Sequence, residues 1–235
     1  MAFTFKQFHV DDDQCAMKVG TDSILLGTMT QVSQSDRILD IGCGCGLLSL
    51  MLAQRIQGNG EICAVEVDEA AATQARHNIA QSPWPDIIKV VQTDINQFTA
   101  TQPFDLIISN PPYFVDSLLG PKDARNVARH TGGLTQLQLL KSVVRLLSAQ
   151  GMFWLILPTK EAQQLIGLST TVGLHLQQLC AVHTVKQKPI HRYIMAFARS
   201  DCLQVAKSAI DVYDEKSQYT SQFIALTRNF YLNRG

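Results

Sequence analysis

From Arg37 to Leu157 short apolar runs alternate with longer segments of helical period, each run closed by glycine, asparagine or proline. Arg37–Ile41, Glu61–Glu66, Ile87–Val91, Phe104–Ser109 and Met152–Leu157 read as strands. Leu47–Arg55, Glu69–Ala80, Leu134–Leu147 and Lys160–Thr170 read as helices. Strands separated by whole helices join as right-handed parallel crossovers rather than as hairpins. The pattern therefore predicts an α/β fold, a doubly wound and mostly parallel sheet with helices on both faces. Two later strands, Leu176–Val185 and Tyr193–Arg199, are joined by a basic loop and close the sheet as an antiparallel hairpin, bringing its strands to seven. Phe3–Val10 alternates as a short strand, and Thr21-Asp22-Ser23 caps a short helix over 24–29. Tyr219–Leu232 reads as a C-terminal helix. The chain is read as a single domain: 1–35 an N-terminal extension, 36–200 the core, and 201–235 a C-terminal segment ending in that helix.

Such sheets bind ligands beyond the carboxyl ends of their strands. The first core strand runs into Asp40-Ile-Gly42-Cys-Gly44-Cys-Gly46. Alternate glycines permit a sharp turn and let a ligand approach the main chain. The third glycine comes one residue too early for the dinucleotide fingerprint, which weakens a nicotinamide reading. Asp40 is placed to accept from loop N–H groups or to face an ammonium or ribose. Glu66 ends the second core strand about twenty residues further on, where a carboxylate can accept from ribose hydroxyls. Asp68 caps the helix that follows. Asp94 closes the third strand.

This glycine string is similar to the first motif of class I S-adenosylmethionine-dependent methyltransferases. The resemblance implies a Rossmann-like fold with S-adenosyl-L-methionine as cofactor and S-adenosyl-L-homocysteine as product. It implies that Asp40, Gly42, Gly44 and Gly46 lie against the cofactor, with Glu66 on its ribose and Asp94 on the adenine amino group.

Asn110-Pro111-Pro112-Tyr113 follows the fourth core strand directly. Two prolines fix φ twice in succession and remove two N–H groups, so the carbonyls at 110 and 111 sit in a stiff turn. The side-chain oxygen of Asn110 adds an acceptor. A planar amino group can donate to both oxygens, which orients its nitrogen toward an electrophilic methyl. Tyr113 offers a face for a base to stack on. The motif is similar to that of enzymes methylating adenine N6, cytosine N4, guanine N2 or the glutamine amide, and by itself does not choose among them.

Composition narrows the choice. Lys plus Arg is 20 and Asp plus Glu is 20, a formal net charge of zero, which argues against a generally sticky nucleic-acid binder but not against a local basic patch. Only about forty residues precede the glycine loop, too few for the extra domain of an enzyme that modifies proteins. Lys122, Arg125, Arg129 and His130 follow the proline turn, and Lys186, Lys188 and Arg192 lie between the last two core strands. These segments either clamp phosphates around a base splayed from an RNA loop or form solvated charged loops. The six cysteines form no CxxC pair, so no metal site is expected and the thiols are read as reduced. Asp11–Asp13 interrupt any signal peptide, and no apolar stretch reaches the roughly 20 residues of a membrane span, which points to the cytoplasm and to no membrane partner.

Several segments together resemble one family closely. Phe5-Lys-Gln-Phe8, Cys15-Ala-Met-Lys-Val-Gly-Thr-Asp22, Leu25-Leu-Gly27, Leu39–Gly42, Asn78–Trp84, Ile107–Phe114 and Ala128-Arg-His130 are similar to the bacterial valine-tRNA adenine-N6 methyltransferases. The resemblance implies methylation of the adenine 3′ of the anticodon, position 37, with the anticodon stem-loop of a valine tRNA as partner. It also implies that Lys18–Asp22, including Thr21 and Asp22, covers the cofactor pocket. Two rival readings are a guanine-N2 methyltransferase of ribosomal RNA and a non-catalytic RNA-binding protein on the same fold. Nothing in the sequence decides the oligomeric state.

Overall fold

The computed structural model describes residues 2–34, 36–111, 134–186 and 188–232. Its core is one eight-stranded sheet. The strands, in chain order, are β3 (Arg37–Ile41), β4 (Glu61–Glu66), β5 (Ile88–Gln92), β6 (Phe104–Ser109), β7 (Leu147–Pro158), β8 (His175–Val185), β9 (Ile190–Ala198) and β10 (Ala206–Tyr213). Their spatial order is β10-β8-β9-β7-β6-β3-β4-β5. β9 runs antiparallel to both its neighbours, and every other pairing in the sheet is parallel.

The helices are α1 (Thr21–Met29), α2 (Leu47–Arg55), α3 (Glu69–Ala80), α4 (Gln136–Leu146), α5 (Thr159–Ser169) and α6 (Ser221–Thr227). Strand residues of alternate parity point to opposite faces. Ile38, Ala64, Ile108 and Trp154 pack in one core with α1, α2 and α3. Leu39, Ile41, Ile107 and Phe153 pack in a second core with α4 and α5. The central parallel strands β3, β4 and β6 are buried on both faces, which is why they read as nearly continuous apolar runs.

Four expectations are corrected. The sheet has eight strands rather than seven: β10 adds parallel to β8. Its first four residues, Ala206–Ala209, are exposed, so only Ile210 and Val212 carry an apolar signal. Residues 3–10 are not one strand but parts of a small hairpin, β1 (Ala2–Thr4) with β2 (His9–Asp11). Thr21, Asp22 and Ser23 form the first turn of α1; Gly20 is the N-cap and makes no side-chain cap. The C-terminal helix is only seven residues long, capped by Thr220. Beyond it the chain turns back to the N-terminal hairpin, where Lys6 N donates to the Phe230 carbonyl at 2.8 Å. Phe5 stacks on Phe8 and Tyr231 there. Among the described residues no helix is long and apolar enough to cross a membrane.

Candidate active site

At the carboxyl end of β3 the chain turns through Gly42, Gly44 and Gly46, with φ of +69°, +54° and +82°. All three lie in the left-handed region that side chains other than glycine disfavour. Gly42 N and Cys43 N donate to the Val65 carbonyl at 2.8 and 3.1 Å, which ties the loop to β4. A Cβ on Gly42 or Gly44 would meet nothing within 4 Å, so the outer side of the loop is an open cradle. Gly46 differs. A Cβ there would lie 3.5 Å from Ala75 Cβ and Ile79 Cδ1, so the glycine lets α2 start close against α3 and does not face the cradle.

Asp40 is fully buried on the face covered by α2. Its Oδ2 accepts from Ser49 N at 3.1 Å and from Ser49 Oγ at 2.7 Å, not from the glycine loop. Its Oδ1 has no partner among the described residues. Burial pushes the carboxyl up to about 7 and outweighs the two Ser49 hydrogen bonds, which oppose it. Burial also pushes the Cys43 thiol well above its ordinary range, which makes it an inert small side chain of the turn.

Glu66 ends β4 and is almost wholly buried. Its Oε2 accepts from Gly44 N at 2.9 Å, and its Oε1 from Val67 N and Asp68 N at 2.8 and 3.0 Å. One carboxylate thus joins the glycine loop to the turn before α3. Asp68 caps α3 by accepting from Ala71 N at 2.8 Å. Thr93 N donates to the Glu66 carbonyl at 2.9 Å and holds the end of β5 beside that of β4. Half-buried Asp94 follows, with Oδ1 accepting from Asn96 N and Nδ2 at 2.9 and 2.8 Å. An open glycine cradle, an orphaned acid oxygen and two further carboxylates at adjacent strand ends fit a ligand carrying an ammonium, ribose hydroxyls and an adenine. S-adenosylmethionine is such a ligand.

β6 delivers the second half of the site. Ser109 Oγ donates to the Ile41 carbonyl at 2.8 Å and pins the end of β6 to the residue before the glycine loop. Asn110 comes next, half-buried, and Pro111 is buried. Asn110 Nδ2 donates to Ser23 Oγ at 2.8 Å and points at Met17 Sδ, 3.6 Å away. A cavity of about 590 Å³ opens here, lined by Met17, Lys18, Thr21, Asp22, Ser23 and Asn110. Pro112 and Tyr113 lie outside the described residues, as do Lys122, Arg125, Arg129 and His130.

The N-terminal segment reaches this cavity because α3 holds it. Asn78 Nδ2 donates to the carbonyls of Asp11 and Cys45 at 2.8 and 2.9 Å, while its Oδ1 accepts from Asp11 N at 3.0 Å. One turn earlier, Gln74 Oε1 accepts from Gln14 N at 2.7 Å. Lys18 Nζ donates to the Asp12 and Asp13 carbonyls at 2.6 and 3.1 Å, which closes the segment on itself. Sequence reading missed Met17, Ser23, Gln74 and Asn78 as parts of the site. For the last two a signal existed: uncharged polar residues four apart on an Ala-rich helix share one face.

Two residues expected in different roles are partners. Asp22, expected over the cofactor, and Arg192, expected on RNA, form an ion pair at 2.8 Å. Lys186 and Lys188 are exposed in the turn between β8 and β9. β8 is antiparallel to β9, which is antiparallel to β7, so this turn lies at the same sheet edge as Asn110 and the glycine loop.

Residues 15–175 match the methyltransferase small domain family. A curated tRNA1(Val) (adenine(37)-N6)-methyltransferase of Tolumonas auensis is 47% identical, over 98% of this chain and 97% of its own. The enzyme of the same name from Phocaeicola vulgatus is 46% identical over 98% and 97%. The crystal structure of a predicted O-methyltransferase from Agrobacterium tumefaciens superposes with a TM-score of 0.66 at 17% identity, covering 89% of this chain and 96% of that one. That likeness carries the fold, and the full-length identity carries more: the chain belongs to the tRNA1(Val) (adenine(37)-N6)-methyltransferase family, built on the methyltransferase small domain.

Proposed function

We propose that the protein transfers a methyl group from S-adenosylmethionine to N6 of the adenine at position 37 of a valine tRNA. The observation that carries the reading is the state of Asn110. Both its amide hydrogens face acceptors of the N-terminal segment, and its Oδ1 accepts nothing among the described residues, beside the buried Pro111. A substrate amine can then donate to Asn110 Oδ1 and to the Pro111 carbonyl.

When bound, S-adenosylmethionine supplies an electrophilic methyl group. Gly42 and Gly44 give the main chain room beside it, Glu66 serves its ribose hydroxyls, and Asp94 its adenine. Asp40 supports the glycine turn through Ser49. The Ser109–Ile41 hydrogen bond keeps the amine site and the cofactor cradle in fixed register. Such positioning can contribute roughly 7–11 kcal/mol to a bimolecular reaction. No strong general base is required, because the methylated nitrogen sheds its proton readily. Tyr113 stacks on the base. Lys186 and Lys188, with Lys122, Arg125, Arg129 and His130, hold the phosphates of the anticodon stem-loop. A tRNA substrate places the protein in the cytoplasm.

The test is methyl transfer from labelled cofactor to total tRNA and rRNA of a deletion strain, followed by nucleoside mapping. N6-methyladenosine at position 37 of a valine tRNA is expected; N2-methylguanosine in rRNA would overturn the proposal. Asn110→Ala should abolish most turnover while cofactor binding by calorimetry stays close to wild type.

A further inference from the structure

We propose that Ser23 is a positioning residue of the methyl transfer: it clamps the Asn110 amide with its carbonyl oxygen toward the substrate amine. The proposal rests on the reading of Asn110 as the acceptor of that amine.

An asparagine amide has a donor end and an acceptor end of nearly equal shape, and rotation about its last bond exchanges them. Exchange would be ruinous at this position. The amide NH2 would then face the NH2 of the substrate, donor against donor, and the amine would lose one of its two acceptors. Neither proline that follows Asn110 contributes an N–H to anchor the oxygen.

The N-terminal segment prevents the exchange. Ser23 Oγ accepts from Nδ2 at 2.8 Å across 87 residues of chain, and Met17 Sδ lies 3.6 Å from the same nitrogen. A hydroxyl by itself can turn to donate to a carbonyl, so Ser23 alone tolerates either orientation. The thioether only accepts, weakly, and so favours the NH2 end. The pair therefore selects one orientation: the hydroxyl supplies the strong bond and the sulfur its direction. Ser23 is well placed to hold it. It is nearly buried, lies in the first turn of α1, and precedes Ile24, Leu25 and Leu26, all packed in the core.

The decisive comparison is Ser23→Thr against Ser23→Val, two side chains of nearly the same shape that differ in the hydroxyl. Methyl transfer is followed in a single turnover at saturating cofactor and tRNA, with cofactor affinity measured by calorimetry. Ser23→Val should slow transfer roughly tenfold, and Ser23→Thr by no more than about threefold, the scale of one neutral hydrogen bond. Cofactor affinity should stay within about twofold of wild type in both. Ser23→Ala makes the same test without added volume, should the branched variants fail to fold.

Wild-type transfer by Ser23→Val or Ser23→Ala would overturn the proposal. So would equal slowing by Thr and Val, since shape and not the hydroxyl would then matter. A loss that falls on cofactor affinity would also overturn it. Asn110→Ala is run alongside: if it transfers at the wild-type rate, the acceptor role of Asn110 itself falls, whereas a crippled Asn110→Ala beside an intact Ser23→Val sinks only the clamp.

Discussion

Arg192 in β9 and Asp22 in α1 lie 170 residues apart in the chain, with Nε 2.8 Å from Oδ2. The side chains are 25% and 32% exposed, so the pair is partly shielded from water. It ties the N-terminal helix over the site to the sheet edge that carries the basic turn.

This pairing separates Arg192 from its basic neighbours. Arg192→Ala and Asp22→Asn should each lower Tm by about 2–4 °C, and the double variant by little more than either alone. Lys186→Ala and Lys188→Ala should leave Tm unchanged and each reduce the salt slope of tRNA binding by about one. Additive losses of Tm in the double variant would show that the two charges act independently.

Asn78 holds the N-terminal segment against α3 with three hydrogen bonds and is 2% exposed. Asn78→Ala leaves the Asp11 N–H and carbonyl and the Cys45 carbonyl without this partner. The expected cost is about 2–3 kcal/mol. Limited trypsin digestion should cut after Lys18 faster than in the wild type, well below Tm. An unchanged cutting rate would mean that the segment is held by something else.

The three glycines of the loop should separate in effect. Alanine at any of them costs about 1–2 kcal/mol in the left-handed conformation. At Gly44 the new methyl group also stands in the open cradle, whereas at Gly46 it meets α3. Gly44→Ala should therefore weaken cofactor binding at least about tenfold more than Gly46→Ala, at comparable loss of Tm. Calorimetry on both variants decides it, and equal cofactor affinities would place the ligand elsewhere.

Asp40 makes stability depend on pH. Burial raises its carboxyl to about 7, above the ordinary carboxylate range. The protonated form is thus favoured in the folded chain. The resulting stabilisation, of order a few kcal/mol, is full below about pH 4 and is lost as pH rises to about 7. Thermal melts should show the wild type losing stability relative to Asp40→Asn across that window. Parallel curves for the two proteins would remove Asp40 as the cause.

Much of this architecture was legible because it is local. Leu47–Arg55, Glu61–Glu66 and Glu69–Ala80 fold with the bounds their periodicity predicts. Glu66 and the Asp68 cap stand where their strand and helix place them. β10 carries little sequence signal because its exposed first half shows no alternation, and the helical pattern of 219–232 runs past the end of α6 because Phe230 and Tyr231 are apolar for another reason. Tyr231 stacks on Phe5 of the N-terminal hairpin, and Phe230 is buried in the core that holds α1, α2 and α3.

By itself the sequence determined the order of strands and helices, the glycine turn, the acids at the strand ends and the proline-stiffened turn. Each of these depends on residues within a few positions of one another. Only the tertiary structure decided that Gly46 packs on α3 while Gly44 stays open, that Arg192 answers Asp22, and that Ser23 holds Asn110. Those choices turn on which groups meet across 29 to 170 residues of chain. A charge or a hydroxyl has the same local signature whether it faces water, a ligand or a partner, so only packing distinguishes the three.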